Sequence, residues 1–140
     1  SYIPMILQPL IERKADLVVG SRFISGDGFQ STFVRRIGIK WLAALIKLVS
    51  KKGVLDCTSG FRACNRRAIE LFAKDYSIDF PEPESLVTAA RNDLTIAEVP
   101  VVMHERRSGK SSIGGFASVY YMIKVSLAIV IAGLRRRRLL

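Results

Sequence analysis

Cysteine and histidine are scarce in this chain of 140 residues, which holds two cysteines and one histidine. Cys57 and Cys64 have no spacing with His104 that suits a metal site, and two thiols do not make a disulfide framework. We therefore expect both cysteines to be small apolar residues in a reducing compartment. The chain also lacks a zinc-finger pattern, a recognition-helix signature and aromatic residues interleaved with arginine. Nucleic acid is therefore not an expected partner.

Acidic residues are the minority among the charged ones, with 12 Asp and Glu against 22 Lys and Arg and a net charge of +10. Arg135 to Arg138 account for four of these charges, so the remainder of the chain is basic as well. This excess favours a partner that carries phosphates or anionic lipid.

A start residue and a secretory signal are also missing, because the chain begins at Ser1 and its first methionine is Met5, inside a helix-like run. We expect the sequence to be a piece of a longer protein. Its hydrophobic content of 49% and charged content of 24% are typical of a folded domain.

The order of apolar runs predicts an α/β fold, because strand-like and helix-like spacings alternate. Pro9 is expected to kink or end the first helix, and Pro100 indicates an edge strand or the junction of two strands. Pro81 and Pro83 are expected to precede the helix that begins at Ser85. Strands are predicted at 15–20, 61–65 and 96–103, and helices at 4–13, 33–51, 66–74, 85–91 and 116–134.

The segment 33–51 has apolar residues at helical spacing with basic residues among them. One interpretation is a helix that packs on the core with a solvated basic side. The other is a helix that lies on a membrane surface with Trp41 in the interface. The apolar positions are 34, 37, 41, 42, 45, 48 and 49, and the basic residues are Arg35, Arg36, Lys40 and Lys47.

The segment 116–134 carries one charge, Lys124, and is followed by Arg135 to Arg138. As a helix it would be about 28 Å long, close to the roughly 30 Å thickness of the hydrocarbon core of a bilayer. Its tyrosines and serines make it a poor spanning helix. Three alternatives remain for this segment. It is a helix docked on the membrane with the arginines on anionic headgroups, a spanning helix, or a helix covered by protein.

Three loop-like clusters each combine glycine or serine with arginine: Gly20-Ser21-Arg22, Asp56 to Arg62, and Arg106 to Ser111. Glycine lets backbone amides approach a ligand, and arginine offers a fixed fork of donors to phosphate oxygens. The clusters therefore predict a polyanionic ligand, provided that the fold brings them together.

Five motifs in sequence resemble the second half of a family 2 glycosyltransferase. The most similar subgroup is that of the polyprenyl-phosphate sugar synthases, dolichyl-phosphate mannose synthases among them. The resemblance covers about residues 1–115. In chain order the motifs are Gly20-Ser21-Arg22-Phe23, Asp56-x-Thr58-Ser59-Gly60-Phe61-Arg62, Glu84, Glu98-Val99-Pro100 and Arg106-x-x-Gly109-x-Ser111.

The resemblance implies a fold and a domain organisation. We expect residues 1–115 to form the acceptor-side half of a GT-A domain, as a partial Rossmann-like sheet flanked by helices. Beyond the resemblance, the apolar run and the arginines of residues 116–140 predict an apolar C-terminal helix with an arginine tail, associated with the membrane. The implied location is the cytoplasmic face of the cell membrane, as a peripheral protein on an anionic surface. An integral membrane partner is a further alternative.

The resemblance also implies a reaction, in which a sugar passes from a nucleotide-sugar to a polyprenyl phosphate or a related cell-envelope acceptor. The family holds a divalent metal with an Asp-x-Asp motif, which this sequence lacks. We therefore expect Mg or Mn in the full-length enzyme, no metal ligands in this chain, and no catalysis by this chain alone. Two alternative functions are a non-catalytic scaffold on the membrane surface and sugar transfer to a saccharide hydroxyl.

By resemblance, Asp56 and Glu84 are the candidate catalytic residues. Asp56 would bind sugar hydroxyls or orient the acceptor, and Glu84 would orient sugar or acceptor, or act as base towards an alcohol. Structural alternatives are an ion pair of Asp56 with Arg62, a supporting ion pair for Arg22, and a carboxylate favoured by a helix N-terminus for Glu84. Glu98 is expected to organise structure. The candidate substrate- and phosphate-binding residues are Arg22, Ser59, Gly60, Arg62, Arg106, Gly109, Lys110 and Ser111.

Overall fold

A computed structural model describes residues 2–28, 32–104 and 116–135. The described residues form five helices and three strands, and the predicted α/β class is confirmed. In chain order the elements are α1 (Ile3–Ile11), β1 (Leu17–Ser21), α2 (Phe33–Ser50), β2 (Arg62–Cys64), α3 (Arg66–Lys74), α4 (Pro81–Arg91), β3 (Ile96–Pro100) and α5 (Phe116–Leu134).

The sheet has the strand order β2-β1-β3, with β1 parallel to β3 and antiparallel to β2. All five residues of β1 are buried, as its short apolar sequence predicts. Gly20 in β1 is needed for close packing, because a β-carbon there would lie 2.6 Å from the ring of Phe61. Pro100 ends β3, which is an edge strand among the described residues.

Each face of the sheet has its own core, because side chains alternate along β1. Leu17 and Val19 belong to the larger core, which the sheet shares with α2, α3, α4 and α5. Val18 belongs to a smaller core with Ile6 of α1 and Val99 of β3. The helices α2, α4 and α5 therefore share one side of the sheet, and α1 lies on the other.

Two expected helix boundaries at proline need correction, while the alternative that Pro9 kinks α1 stays a prediction. Pro9 lies inside α1, which continues two residues beyond it to Ile11. The helix α4 begins at Pro81 rather than at Ser85, so that Pro81 and Pro83 lie in its first turn. Backbone N–H groups in the first turn of a helix have no partner within the helix, and proline there costs little.

The buried side of α2 differs from the predicted one. Its buried residues are Ile39, Leu42 and Ile46. Trp41 is 59% exposed. Four other apolar residues of this helix are also more than half exposed: Phe33, Val34, Ile37 and Leu48. The helix therefore packs one apolar side on the core, as the first interpretation had it, and presents a second apolar side at the surface.

The helix α5 packs against both α2 and α4, with Val125, Ile129 and Ala132 buried. Contacts between α2 and α5 follow the same chain order in both helices, because Gly38 faces Met122 near their starts and Val49 faces Gly133 near their ends. The two helices therefore run parallel. Of the helices in the described part of the chain, none combines the length and apolarity needed to cross a bilayer.

Candidate functional site at the end of β1

The buried ion pair between Arg22 and Asp56 lies at the centre of the candidate site. Arg22 follows the carboxyl end of β1, and its Nε and Nη2 donate to the two Asp56 carboxylate oxygens at 2.7 Å each. The backbone N–H of Arg22 donates to the same carboxylate at 3.1 Å, and Nη2 also donates to Thr58 Oγ1 at 2.9 Å. The side-chain hydrogen bonds to Asp56 raise the pKa of Arg22 above its ordinary value.

The Asp56 side chain is 0% exposed and the Arg22 side chain is 13% exposed. The supporting ion pair considered for Arg22 is therefore present. The alternative pairing of Asp56 with Arg62 is wrong, because the guanidinium of Arg62 donates instead to the Ser59 and Cys57 carbonyls and the Ser85 hydroxyl. In this conformation the Asp56 carboxylate faces Arg22, and its contact with a sugar or acceptor stays a prediction.

Glu98 in β3 holds the backbone of the segment that carries Asp56. Its two carboxylate oxygens accept hydrogen bonds from the N–H groups of Leu55 and Asp56, at 2.8 and 2.9 Å. Glu98 pairs with Val19 in the parallel ladder, so β1 and β3 bring Arg22 and Glu98 to the same loop. The prediction that Glu98 organises structure agrees with these contacts.

Arg62 shapes the turn at 57–60. Its Nε donates to the Ser59 carbonyl at 2.7 Å, and its Nη2 donates to the Cys57 carbonyl at 3.1 Å. Its Nη1 donates to the hydroxyl of Ser85 on α4 at 2.8 Å. Burial lowers the pKa of Arg62. Three donors of this guanidinium are thus directed into the protein, and its binding of phosphate stays a prediction.

Ser59 and Gly60 belong to this turn, and Glu84 lies on α4, the helix that Arg62 contacts. Ser59 is buried, and its hydroxyl accepts a hydrogen bond from Phe61 N at 3.3 Å, whereas Gly60 is exposed. Glu84 is 7% exposed in the first turn of α4, one residue before the serine that contacts Arg62. This position is favourable for a carboxylate because of the helix dipole.

The third predicted cluster, with Arg106, Gly109, Lys110 and Ser111, lies outside the described residues. The structure therefore brings together the first two clusters, around Arg22 and around Asp56 to Arg62, through the carboxyl end of β1.

A hollow of about 280 Å³ adjoins this site and is lined by Phe23, Arg36, Lys40 and Leu55. Phe23 follows Arg22 and Leu55 precedes Asp56, so the hollow lies beside the buried ion pair. Arg36 and Lys40 are one helical turn apart on α2 and therefore share a face. Sequence reasoning treated them as the solvated side of α2. Their spacing of four residues was the signal for a paired cationic site.

A larger hollow, of about 650 Å³, lies at the opposite end of β1. Asp16 in its wall accepts hydrogen bonds from Asn65 Nδ2 and Thr95 N, at 2.7 Å each, which ties together the starts of β1, α3 and β3. Ligands of open α/β sheets bind outside the carboxyl ends of strands. The hollow beside Arg22 is therefore the better candidate despite its smaller volume.

The described residues contain no group of three or more His, Cys, Asp or Glu side chains arranged to hold a metal ion. Asp56, the carboxylate at the centre of the site, is already bound by Arg22. These residues do not fit a divalent metal.

Comparison with known proteins gives several relatives, although no family model matches the chain. The chain is 33% identical over 124 residues to an undecaprenyl-phosphate mannosyltransferase from Micrococcus luteus, covering 82% of this chain and 50% of the relative. It is 26% identical over 136 residues to a UDP-N-acetylglucosamine–dolichyl-phosphate N-acetylglucosaminyltransferase from Methanococcus voltae, covering 92% and 54%. It is 28% identical over 120 residues to a polyprenol monophosphomannose synthase from Mycolicibacterium smegmatis, covering 83% and 45%. The chain spans about half the length of the curated relatives it matches.

Proposed function

Because this chain belongs to the family 2 glycosyltransferases, we propose that it is the acceptor-side half of an enzyme that transfers a sugar from a nucleotide-sugar to a polyprenyl phosphate. Two of the relatives named above are sugar transferases whose names specify dolichyl phosphate or undecaprenyl phosphate, and the third is named a polyprenol monophosphomannose synthase. The observation that carries the proposal is the hollow with Arg36 and Lys40 beside the pair of Arg22 and Asp56.

The chemistry of a phosphate acceptor matches this arrangement of charges. A phosphate monoester is already ionised near neutral pH, so it needs less help from a general base than an alcohol does. The site must instead neutralise the incoming phosphate and the leaving diphosphate. We assign the incoming lipid phosphate to Arg36 and Lys40, because they line the hollow and because arginine offers a bidentate fork, and lysine a point charge, to phosphate oxygens.

The predicted roles of the other residues form part of the proposal. Arg22 acts towards the donor diphosphate, with its guanidinium held by Asp56 and Thr58. Asp56 and Glu84 are the proposed catalytic carboxylates. Ser59, Gly60 and Arg62 form the wall of the pocket. The cluster of Arg106, Gly109, Lys110 and Ser111 is proposed to bind the phosphates.

The divalent metal, Mg or Mn, is proposed for the full-length enzyme only. The resemblance assigns its ligands to an Asp-x-Asp motif that this chain lacks, and the described residues do not fit a metal ion. A bound metal would neutralise charge on the leaving diphosphate.

The location we propose is the cytoplasmic face of the membrane, as a peripheral protein. The exposed apolar residues of α2 and α5 form one surface, here called the α2–α5 apolar face. Trp41 lies at the seam between the helices, since its Nε1 donates to Ser126 Oγ at 3.1 Å. The face comprises Phe33, Val34, Ile37, Trp41 and Leu48 of α2 and Val119, Tyr120, Ile123, Leu127 and Ile131 of α5.

Charge on this face favours an anionic bilayer as its partner. Lys40, Lys47 and Lys124 are exposed on the same two helices. Each basic side chain near an anionic leaflet contributes about 1 kcal/mol of binding. Lys40 also lines the hollow, so a lipid phosphate leaving the bilayer surface would reach the site beside α2. Arg135 of the predicted arginine tail lies 3.8 Å from Asp75, and the arginines after it lie outside the described residues.

The activity is tested on the full-length protein with a panel of labelled nucleotide-sugars, undecaprenyl phosphate in detergent, and Mg or Mn. We expect a labelled lipid product. Replacing Arg36 and Lys40 together by alanine is expected to raise the KM for the lipid phosphate about tenfold or more, because two charge-assisted contacts are lost. A matched control replaces Lys14 and Arg66, two exposed cations at the other end of β1.

Three outcomes would contradict parts of this proposal. Absence of transfer from every donor would refute the enzymatic function and favour the scaffold alternative. An unchanged KM in the Arg36 and Lys40 variant would refute the phosphate assignment alone. Transfer to a saccharide hydroxyl that is lost in Glu84→Gln would favour the other acceptor class.

Flotation with vesicles that contain anionic lipid tests the location. Trp41→Glu combined with Ile123→Glu is expected to reduce binding, because two charges are placed on the α2–α5 apolar face. Ile11→Glu is the control, since Ile11 is exposed at the end of α1 on the other side of the sheet. Equal flotation of both variants and the wild type would refute membrane binding by this face. Binding only in the presence of an integral membrane protein would assign the face to such a partner.

A further inference from the structure

Glu98 is an acidic residue in an otherwise apolar stretch of β3. Its neighbour in the strand, Val99, belongs to the smaller core, while Ile96 packs against the larger core. Because side chains alternate along a strand, Glu98 projects on the same side as Ile96, towards the larger core. A carboxylate in this position requires hydrogen-bond partners.

The partners of Glu98 are two consecutive backbone amides, those of Leu55 and Asp56. The segment 51–60 has no regular secondary structure, so no ladder orients its peptide planes. Val54 and Cys57 are buried and anchor the segment, but Leu55 between them is 55% exposed. The Glu98 carboxylate therefore fixes the orientation of the two amides between these anchors, those of the exposed Leu55 and the buried Asp56.

Asp56 links this contact to the ion pair. Its N–H is bound by Glu98 at 2.9 Å, and its carboxylate is bound by Arg22 at 2.7 Å. A tilt of the peptide plane before Asp56 would move its carboxylate and, with it, the guanidinium of Arg22. Small misplacements of this kind cost a large factor in rate because the reacting groups no longer meet in line.

We infer that Glu98 is a positioning residue for sugar transfer: it holds the Asp56 backbone so that the carboxylate of Asp56 fixes the guanidinium of Arg22. The inference rests on the proposed function, since it assigns Glu98 to the same site. Glu98 itself does not touch the substrate in this scheme.

The test uses Glu98→Gln in the full-length protein. Glutamine keeps the length of the side chain but presents an NH₂ group to one of the two amides, so one hydrogen bond is lost and two donors face each other. We expect kcat to fall about 10- to 100-fold, with the KM for the nucleotide-sugar changed less. The matched control is Glu70→Gln on α3, which carries the same chemical change at an exposed ion pair far from the site.

A double-variant cycle separates positioning from general stability. If Glu98 acts through Asp56, Asp56→Asn combined with Glu98→Gln will be no slower than Asp56→Asn alone. The inference would be overturned if the loss of kcat in the double variant equals the product of the losses in the two single variants. It would also be overturned if Glu98→Gln keeps the wild-type kcat.

Hydrogen exchange gives a readout that does not depend on activity. We expect the amides of Leu55 and Asp56 to exchange at least tenfold faster in Glu98→Gln, with the amides of β1 unchanged. Unchanged exchange at these two amides would overturn the inference even if the enzyme is active. If the wild-type protein transfers no sugar, the proposed function fails, and the exchange result still decides whether Glu98 holds the loop.

Discussion

Replacing Asp56 by asparagine would remove the counter-charge of Arg22 at a place where only 13% of the Arg22 side chain is exposed. The geometry of the pair stays possible, because asparagine keeps one oxygen acceptor. The second carboxylate oxygen, which accepts both from Arg22 Nε at 2.7 Å and from its backbone N–H at 3.1 Å, is replaced by a donor. A buried guanidinium is thus left without a matching anion.

The expected loss of stability follows from this geometry. Breaking a buried ion pair by removing one partner costs about 3–5 kcal/mol, since the remaining charge is desolvated without compensation. We place Asp56→Asn near the lower end, about 3 kcal/mol, because one acceptor remains and Thr58 still accepts from Arg22. With a urea dependence of about 1–3 kcal/mol per molar, the denaturation midpoint should fall by about 1–3 M.

The assay is urea denaturation of the full-length protein followed by circular dichroism. The control is Glu70→Gln, which breaks the exposed ion pair of α3 and is expected to leave the midpoint unchanged. A second variant replaces both partners, Arg22→Met with Asp56→Leu, and should recover most of the lost stability because no charge stays buried.

Two results would refute this reasoning. A loss below about 1 kcal/mol in Asp56→Asn would mean that Arg22 is solvated or finds another anion. The second refuting result is a double variant that is less stable than Asp56→Asn. It would mean that the attraction within the ion pair exceeds the cost of burying both charges.

Three further predictions concern packing, protonation and the membrane. Gly133→Ala should lower the melting temperature, because the added β-carbon would overlap the side chain of Val49. The control Gly53→Ala should not lower it, because the nearest atom would lie at 3.8 Å. A rise in melting temperature for Gly133→Ala would contradict the close packing of α2 and α5. Burial raises the pKa of Cys57 from 9.0 to about 12, so the unfolded chain ionises first and stability falls as the pH rises above 9. Cys57→Ala should remove this component, which approaches about 1.4 kcal/mol per pH unit only above pH 9, from urea denaturation curves at pH 8 to 10. Equal pH dependence of the two proteins would contradict the burial of the thiol. Fluorescence of Trp41, the sole tryptophan, should shift to the blue on anionic vesicles, and an unchanged spectrum would argue against its place in the interface.

Local sequence pattern was sufficient for most elements of the fold. The run that ends at Gly20 predicted β1, because a continuous apolar stretch closed by glycine is typical of a strand buried on both faces. Helices α3 and α5 were predicted with their observed bounds. The start of α4 was missed because Pro81 and Pro83 read as helix breakers, although the first turn of a helix tolerates both.

The buried face of α2 could not be read from spacing. This helix has more apolar residues than one stripe accommodates, so the choice between Leu42 and Trp41 as core residues depended on where α4 and α5 lie. The ion-pair partner of Asp56 could not be predicted from the sequence either. Arg62 is nearer in sequence, but the sheet brings Arg22, 34 residues away, to the same loop.

The arginines of the two described clusters differ from the basic residues of α2 in the groups that they contact, and composition does not reveal this difference. Arg22 directly follows Ser21, and Arg62 lies two residues after Gly60, which is the pattern expected of a phosphate-binding loop. The structure directs most of the hydrogen bonds described for both into the protein, to Asp56, Thr58 and the turn at 57–60. A phosphate needs cations whose donors are open to solvent, and Lys40, which is exposed, meets that condition beside Arg36. In this conformation Arg22 and Arg62 therefore hold the loops together, and the proposed contact of Arg22 with the donor diphosphate stays a prediction. The basic face of α2 is the proposed site of contact for the lipid phosphate.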